Sequence, residues 1–168
     1  MKALILSLIL SFSLSSCDWI KSLGPEEPFF CKINDEKFRP QKDDSPIGGW
    51  GSKPLKTSID KEYHWLYIQA RNAEKLITVS IKLNSNNEVS EGSYSLTSSN
   101  LESNASYYVD YTAAPPILEE LKSQEGEFVI EKKEGFNLFG HFQFNCKSAI
   151  TGKTYTITEG EFNKLSYF

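Results

Sequence analysis

The sequence predicts an all-β domain, an antiparallel β-sandwich or partly open β-barrel of about eight or nine strands with one short helix. Three observations predict it. Apolar residues recur with period two through most of the chain after Phe29, turn-forming residues separate the alternating stretches, and no helical stretch is long enough to make a βαβ crossover. One-sided alternation further implies a single core under a polar exterior, not a buried parallel sheet.

In chain order, Phe29, Cys31 and Ile33 alternate ahead of Asn34-Asp35, a pair suited to a tight turn. Phe38 to Asp60 holds Pro40, Pro46, Pro54 and three glycines, which predicts a long loop with a short strand around Ile47 to Trp50. Tyr63 to Ala70 turns Leu66, Ile68 and Ala70 to one side, and Leu76 to Asn84 does the same with Ile77, Val79, Ile81 and Leu83. The loop Arg71-Asn72-Ala73-Glu74 makes the two a hairpin. Ser93 to Leu96, Ser106 to Thr112 and Glu127 to Lys132 are short aromatic or β-branched strands. Ile117 to Lys122 is the helical exception. It follows Pro115-Pro116, places Glu119 and Glu120 early and Lys122 late, and brings Leu121 over Ile117 and Leu118. Leu138, Gly140, Phe142, Phe144 and Cys146 then share one face, opposite His141, Gln143, Asn145 and Lys147. The turn Thr151-Gly152-Lys153 leads into Thr154 to Thr158 with Tyr155 and Ile157 inward, and Gly160 marks a bulge or bend before Phe162 returns to the core.

The 168 residues are 39% hydrophobic and include 11 Phe, 8 Tyr and 3 Trp, enough to exclude disorder and to fill one core. With 18 basic against 22 acidic side chains and a pI near 5.3, the chain offers no electrostatic footprint for nucleic acid.

The N-terminus reads as a targeting segment. Lys2 precedes the apolar run Ala3 to Leu14, whose 12 residues rise only about 18 Å as a helix against a hydrocarbon core of roughly 30 Å. Leu14-Ser15-Ser16-Cys17 resembles the lipobox of bacterial lipoproteins. That resemblance implies cleavage before Cys17, a diacylglycerol thioether on its thiol and acylation of the new amino terminus, a palmitate-type anchor stable because it uses more than one chain. The expected organisation is a signal peptide over 1–16, a lipidated cysteine and tether over 17–28, and one all-β domain over 29–168, held by lipid at the bacterial cell envelope, on the outer membrane or periplasmic face. Gly24, Pro25 and Pro28 discourage regular structure in the tether, and Asp18 to Pro28 reaches at most about 36 to 40 Å.

A broader resemblance covers nearly all of the chain after Cys17. The phrases Phe29-Phe30-Cys31-Lys32-Ile33-Asn34, Leu66-Tyr67-Ile68-Gln69-Ala70, Glu91-Gly92-Ser93-Tyr94-Ser95-Leu96, Leu138-Phe139-Gly140-His141-Phe142-Gln143-Phe144 and Thr156-Ile157-Thr158-Glu159-Gly160-Glu161-Phe162 occur in that order. Together they resemble an uncharacterised family of small Bacteroidetes lipoproteins. The resemblance implies an all-β domain behind a lipid anchor and brings no active site. Cys31 and Cys146 depart from it, standing where small alanine-like residues are expected, as does Asp35, where a turn glycine is usual.

Chemistry-bearing residues are few. Once Cys17 carries lipid, Cys31 and Cys146 remain on the inward phase, and in an oxidising compartment they are a disulfide candidate that would close a loop of over a hundred residues. The alternative is two buried thiols that never meet. His64 and His141 fall on outward phases and read as structural or solvated. No Gly-x-Ser-x-Gly elbow, HExxH or phosphate-binding glycine loop is present, and Asp43-Asp44 falls short of a calcium site, so no catalytic, cofactor or metal residues are assigned. What stands out is aromatic excess on the outward phase: Tyr63, Trp65 and Tyr67 on one strand, with Tyr107, Tyr108 and Tyr111 nearby in sequence. Flat rings with polar tips suit stacking against a glycan or a protein partner, although a covering loop or second sheet would equally account for them. Three functions follow as expectations: a non-catalytic binding or interaction module for glycan, peptide or an envelope partner; a carboxylate-dependent hydrolase; or a purely structural envelope lipoprotein. The first predicts an open patch around Trp65, and the second predicts two acids within about 5 to 9.5 Å in a cleft.

Overall fold

A computed structural model describes residues 27–41, 53–109 and 119–167. They form ten strands: β1 (Phe29–Ile33), β2 (Glu36–Phe38), β3 (Leu55–Asp60), β4 (Trp65–Arg71), β5 (Leu76–Lys82), β6 (Gly92–Ser95), β7 (Asn104–Val109), β8 (Glu119–Glu134), β9 (Asn137–Lys147) and β10 (Thr154–Ser166). Nine of them run in one antiparallel path, β2-β1-β10-β9-β8-β7-β5-β4-β3, and β6 pairs with β8 off that path. The sheet curls into a half-barrel around one core. The all-β expectation holds, as an open barrel and not a two-sheet sandwich.

The two edges of the path approach one another. The Gln41 amide donates to the Arg71 carbonyl at 3.0 Å, Lys75 Nζ meets Glu36 Oε2 at 2.6 Å, and the Thr57 hydroxyl donates to the Ser166 carbonyl. Lys75 holds the Glu36 carboxyl below its usual range, first through the hydrogen bond and then through its charge.

Most of the strong alternation sits where the pattern places it. β4 and β5 pair as the expected hairpin, with Leu66 opposite Ile81, Ile68 opposite Val79 and Ala70 opposite Ile77. All six are buried. At the Asn34-Asp35 turn both residues have positive φ, 48° and 67°, and Asn34 Oδ1 accepts from the Thr156 amide at 2.9 Å, tying the β1–β2 turn to β10. Gly160 marks a real irregularity: the β10–β9 register shifts between Ile157 and Gly160, with Glu159 at φ 49°. A second shift between Phe162 and Leu165 carries Lys164 at φ 52°. Such bulges increase local twist, which a sheet this long needs in order to curl.

Glycine and phenylalanine face each other across three strand pairs: Gly126 with Phe144, Gly140 with Phe162, and Gly160 with Phe142. In the last two the phenyl ring lies over the missing side chain. A Cβ on Gly140 would stand 2.7 Å from Phe162 Cζ, and one on Gly160 would stand 2.6 Å from Phe142 Cε1. The rings go on to build the core, Phe128 stacking on Phe162 at 4.6 Å between centroids and Phe29 on Phe142 at 4.9 Å.

Three expectations need correction. The described residues contain no helix, and Glu119 to Lys122, the described part of the expected helix, open strand β8. Tertiary pairing overrides the local pattern: Leu121 is buried against Tyr107 across the β7–β8 ladder, while Glu119 accepts from the Ser148 hydroxyl at 2.8 Å and the Ala149 amide at 2.8 Å. The stretch Phe38 to Asp60 also contains strand structure that its prolines hide, since Leu55 to Asp60 is β3. The expected strand at Ile47 to Trp50 lies outside the described residues.

Third, Cys31 and Cys146 are free and fully buried. Strand β10 lies between β1 and β9, and Cys146 pairs with Tyr155 while the β1 neighbours of Cys31, Phe30 and Lys32, pair with Glu161 and Thr158. Two strand spacings plus several residues of rise put the Cα atoms on the order of 15 Å apart. A disulfide tolerates about 7 Å. Burial pushes both thiols up to about 12, with the charge of Lys75 opposing the shift at Cys31. Because the thiolate is the reactive species, native protein near pH 8 should leave both unmodified by iodoacetamide, and both should be carboxamidomethylated after unfolding in guanidinium. Peptide mapping at the two positions checks this, and modification of either in native protein would contradict the burial.

Candidate functional site

The aromatic patch expected around Trp65 divides in two. Trp65 faces outward but is only 9% exposed. Lys82, its direct partner on β5, lays its ammonium 4.7 Å from the ring centroid and donates to the Tyr63 carbonyl at 2.9 Å. Facing outward on a strand is not the same as being accessible when a long neighbour folds over the ring. Tyr63 is 60% exposed but sits in the turn before β4, where its amide bonds Asp60 Oδ1 at 3.0 Å, so it does not extend the strand's face. Tyr67 remains on that face. It is 37% exposed and stacks on Trp65 with centroids 6.3 Å apart and planes 24° from parallel. Partial burial and the charge of Asp60 both raise its phenol, so the hydroxyl stays neutral and able to donate.

The residues around Tyr67 follow from register. Across β3, β4 and β5 the aligned rows are Ser58–Tyr67–Ser80 and Lys56–Gln69–Thr78. Lys56, Ser58, Tyr67, Gln69 and Thr78 line a shallow depression of about 240 Å³ on the outer surface. The second row continues to Ser106 on β7 and Lys122 on β8. There the surface closes into a polar network: buried Ser106 donates to Glu120 Oε1 at 2.7 Å, and the Tyr108 hydroxyl bonds Glu120 and Thr78. Burial first, then the Glu120 charge, raises the Tyr108 phenol. Tyr107, expected beside it, points the other way into the core against Tyr155 at 5.2 Å, and Tyr111 lies outside the described residues.

Of these, only Tyr67 and Tyr108 were marked by the aromatic pattern. Lys56 and Ser58 were hidden in a proline-bounded stretch, and Gln69 and Thr78 become neighbours of Tyr67 only once the hairpin register is known. A second depression of about 350 Å³, on the outer face of β8, β9 and β10, is lined by Glu125, Gln143, Asn145, Thr156 and Thr158 among others. Asn145 gives its amide hydrogen to Glu125 Oε1 at 2.7 Å, and no exposed aromatic lines that surface.

Several acids already serve the fold. Glu119 caps the β9–β10 turn, Glu159 pairs with Lys32 at 2.6 Å, and Glu131 meets His141 Nδ1 at 2.9 Å. The other histidine, His64, has φ 62° and bonds Asn87 Oδ1 at 2.8 Å through Nδ1. Among the described residues no group of three or more His, Cys, Asp or Glu is placed to hold a metal ion. Asp43-Asp44 and Cys17, where the sequence resembles a lipobox, lie outside the described residues.

Searches of curated proteins and of solved structures found no match. The family comparison did. From the β1–β2 turn to the last residue of β10, residues 34–166 match DUF6252, a domain of unknown function, and the chain belongs to that family.

Proposed function

We propose that the protein is a lipid-anchored, non-catalytic binding module of the bacterial cell envelope, and that it meets its ligand on the outer face of β3, β4 and β5. The observation that carries the reading is Tyr67: an exposed, neutral phenol held rigid on Trp65 and ringed by the amine of Lys56, the hydroxyls of Ser58 and Thr78 and the amide of Gln69. A flat ring bordered by short polar groups that both donate and accept is the chemistry that recognises a polyhydroxylated ligand, and a glycan of the envelope fits it best. The lipobox resemblance at Leu14 to Cys17 supports the anchor and, with the quoted phrases, a bacterial lipoprotein of the Bacteroidetes type.

Two measurements test the two halves separately. An array of envelope polysaccharides and soluble peptidoglycan fragments should yield at least one ligand for the wild-type chain. Tyr67→Ala should weaken that ligand about tenfold, the 1.4 kcal/mol that a stacking ring contributes. Binding unchanged in Tyr67→Ala would remove this face from recognition. For the anchor, Cys17→Ser should move the chain from the membrane to the soluble fraction of the expressing cell, and continued membrane retention would count against lipidation.

A further inference from the structure

We propose that the end of the half-barrel carrying the β8–β9 turn faces the lipid bilayer, and that Phe136 at its tip enters the membrane interface. This rests on the lipid anchor at Cys17. The strand registers define the two ends. At one, Glu134 pairs with Asn137 and Asn137 with Ser166, so the Gly135-Phe136 turn and the end of β10 lie together. At the other lie the β9–β10 turn around Ile150 and the Asn34-Asp35 turn.

The chain enters the domain at the first end. The Pro28 carbonyl accepts from the Asn163 amide at 3.2 Å, and β1 then runs away from that end, from Phe29 opposite Phe162 to Ile33 opposite Ile157. With Pro28 held by Asn163 and Glu27 paired to Arg39, the free tether is the nine residues from Asp18 to Glu26, which reach at most about 30 to 32 Å. Presenting the opposite end would use most of that length, because β10 extends about 26 Å from the entry level at Phe162 to Thr154 at the far end. Presenting the β8–β9 end uses little of it.

Phe136 stands at that end 67% exposed, its ring set edge-on to Tyr167 at 5.8 Å. Its neighbours suit entry into an interface. Gly135, Asn137 and Ser166 are uncharged, the last two hydrogen-bonded to each other at 2.7 Å, and the nearby charges of Lys132 and Glu134 are paired. An aromatic ring at a turn tip, flanked by uncharged groups and one ion pair and with the cation of Lys133 three residues back to meet anionic headgroups, matches the side chains that settle at headgroup level.

The test uses the full lipidated chain with an environment-sensitive dye on Phe136→Cys or, separately, Ile150→Cys, the latter 72% exposed at the opposite end. Cys31 and Cys146 are buried and Cys17 is occupied by lipid, so each engineered thiol is the one labelled. In vesicles of phosphatidylethanolamine and phosphatidylglycerol, dye at 136 should emit to the blue and be quenched several-fold more by nitroxide lipids than dye at 150. Protein that sediments with vesicles but shows equal quenching at the two sites, or more at 150, overturns the orientation and leaves the anchor standing. Protein that does not sediment with vesicles overturns the anchor and this inference together. Both positions are exposed turn residues, and a far-UV spectrum with the wild-type strand signature confirms that each labelled chain is folded.

Discussion

Gly140→Ala is expected to lower the free energy of unfolding by about 3 kcal/mol, the upper part of the range for overpacking a core. The new methyl carbon would stand 1.9 Å from the Val129 carbonyl oxygen and 2.7 Å from Phe162 Cζ. The ring could turn aside, but the carbonyl belongs to the neighbouring strand. Relief therefore requires β8 and β9 to separate at the Ile130–Gly140 pair, next to the register shift between Ile130 and Lys132. Gly135→Ala is the matched control. It meets nothing within 4 Å, and its penalty comes only from φ +60°, so about 1 kcal/mol is expected there. Urea unfolding should show the midpoint falling about three times as far for Gly140→Ala as for Gly135→Ala with m unchanged. Equal shifts would mean that the β8–β9 pair opens at that point without cost.

The same glycines show how far the sequence could be read. Gly160 declared itself because it interrupts an alternating strand after Glu159, and Gly140 because it occupies an inward position between Leu138 and Phe142. That each faces a phenylalanine could not be read, because register across β9 and β10 depends on two bulges whose αL residues are Glu159 and Lys164, not glycine. β8 was legible only in its second half for a related reason. Ser123, Gln124 and Glu125 resemble a polar turn, yet Ser123 is fully buried, donating to the Thr97 carbonyl at 2.9 Å and accepting from the Ala105 amide at 3.0 Å. The register with β9 then slips between Ser123 and Glu125 and changes the inward phase to Gly126, Phe128 and Ile130. Period two is invisible across a slip. The candidate site suffered from a different gap. Alternation reveals which residues face outward but not which long side chain lies down over them, and Lys82 covering Trp65 leaves Tyr67, not the tryptophan, as the accessible ring.

Phe128→Ala should be the most destabilising single truncation of the domain, at about 4 kcal/mol. Phe128 is fully buried in β8, stacked on Phe162 at 4.6 Å with planes 5° apart and on Phe142 at 6.2 Å. It joins ladders on both sides, pairing with Tyr94 of β6 and Phe142 of β9. Collapse into the space it leaves is restricted, because the rings of Phe142 and Phe162 already lie over Gly160 and Gly140 and would uncover those strands if they moved. Phe128→Leu keeps most of the volume but loses the stacked faces, and should cost about 1 to 1.5 kcal/mol. A domain of this size has about 5 to 15 kcal/mol in total, so the alanine variant should be measurably unfolded by modest heating while the leucine variant is not. If the two rings act through Phe128 as one unit, the double substitution Phe128→Leu with Phe162→Leu should cost less than the sum of the singles, by about the 0.5 to 1.5 kcal/mol of one aromatic pair. Strict additivity in that cycle would mean that the rings contribute buried area alone and that their alignment adds nothing.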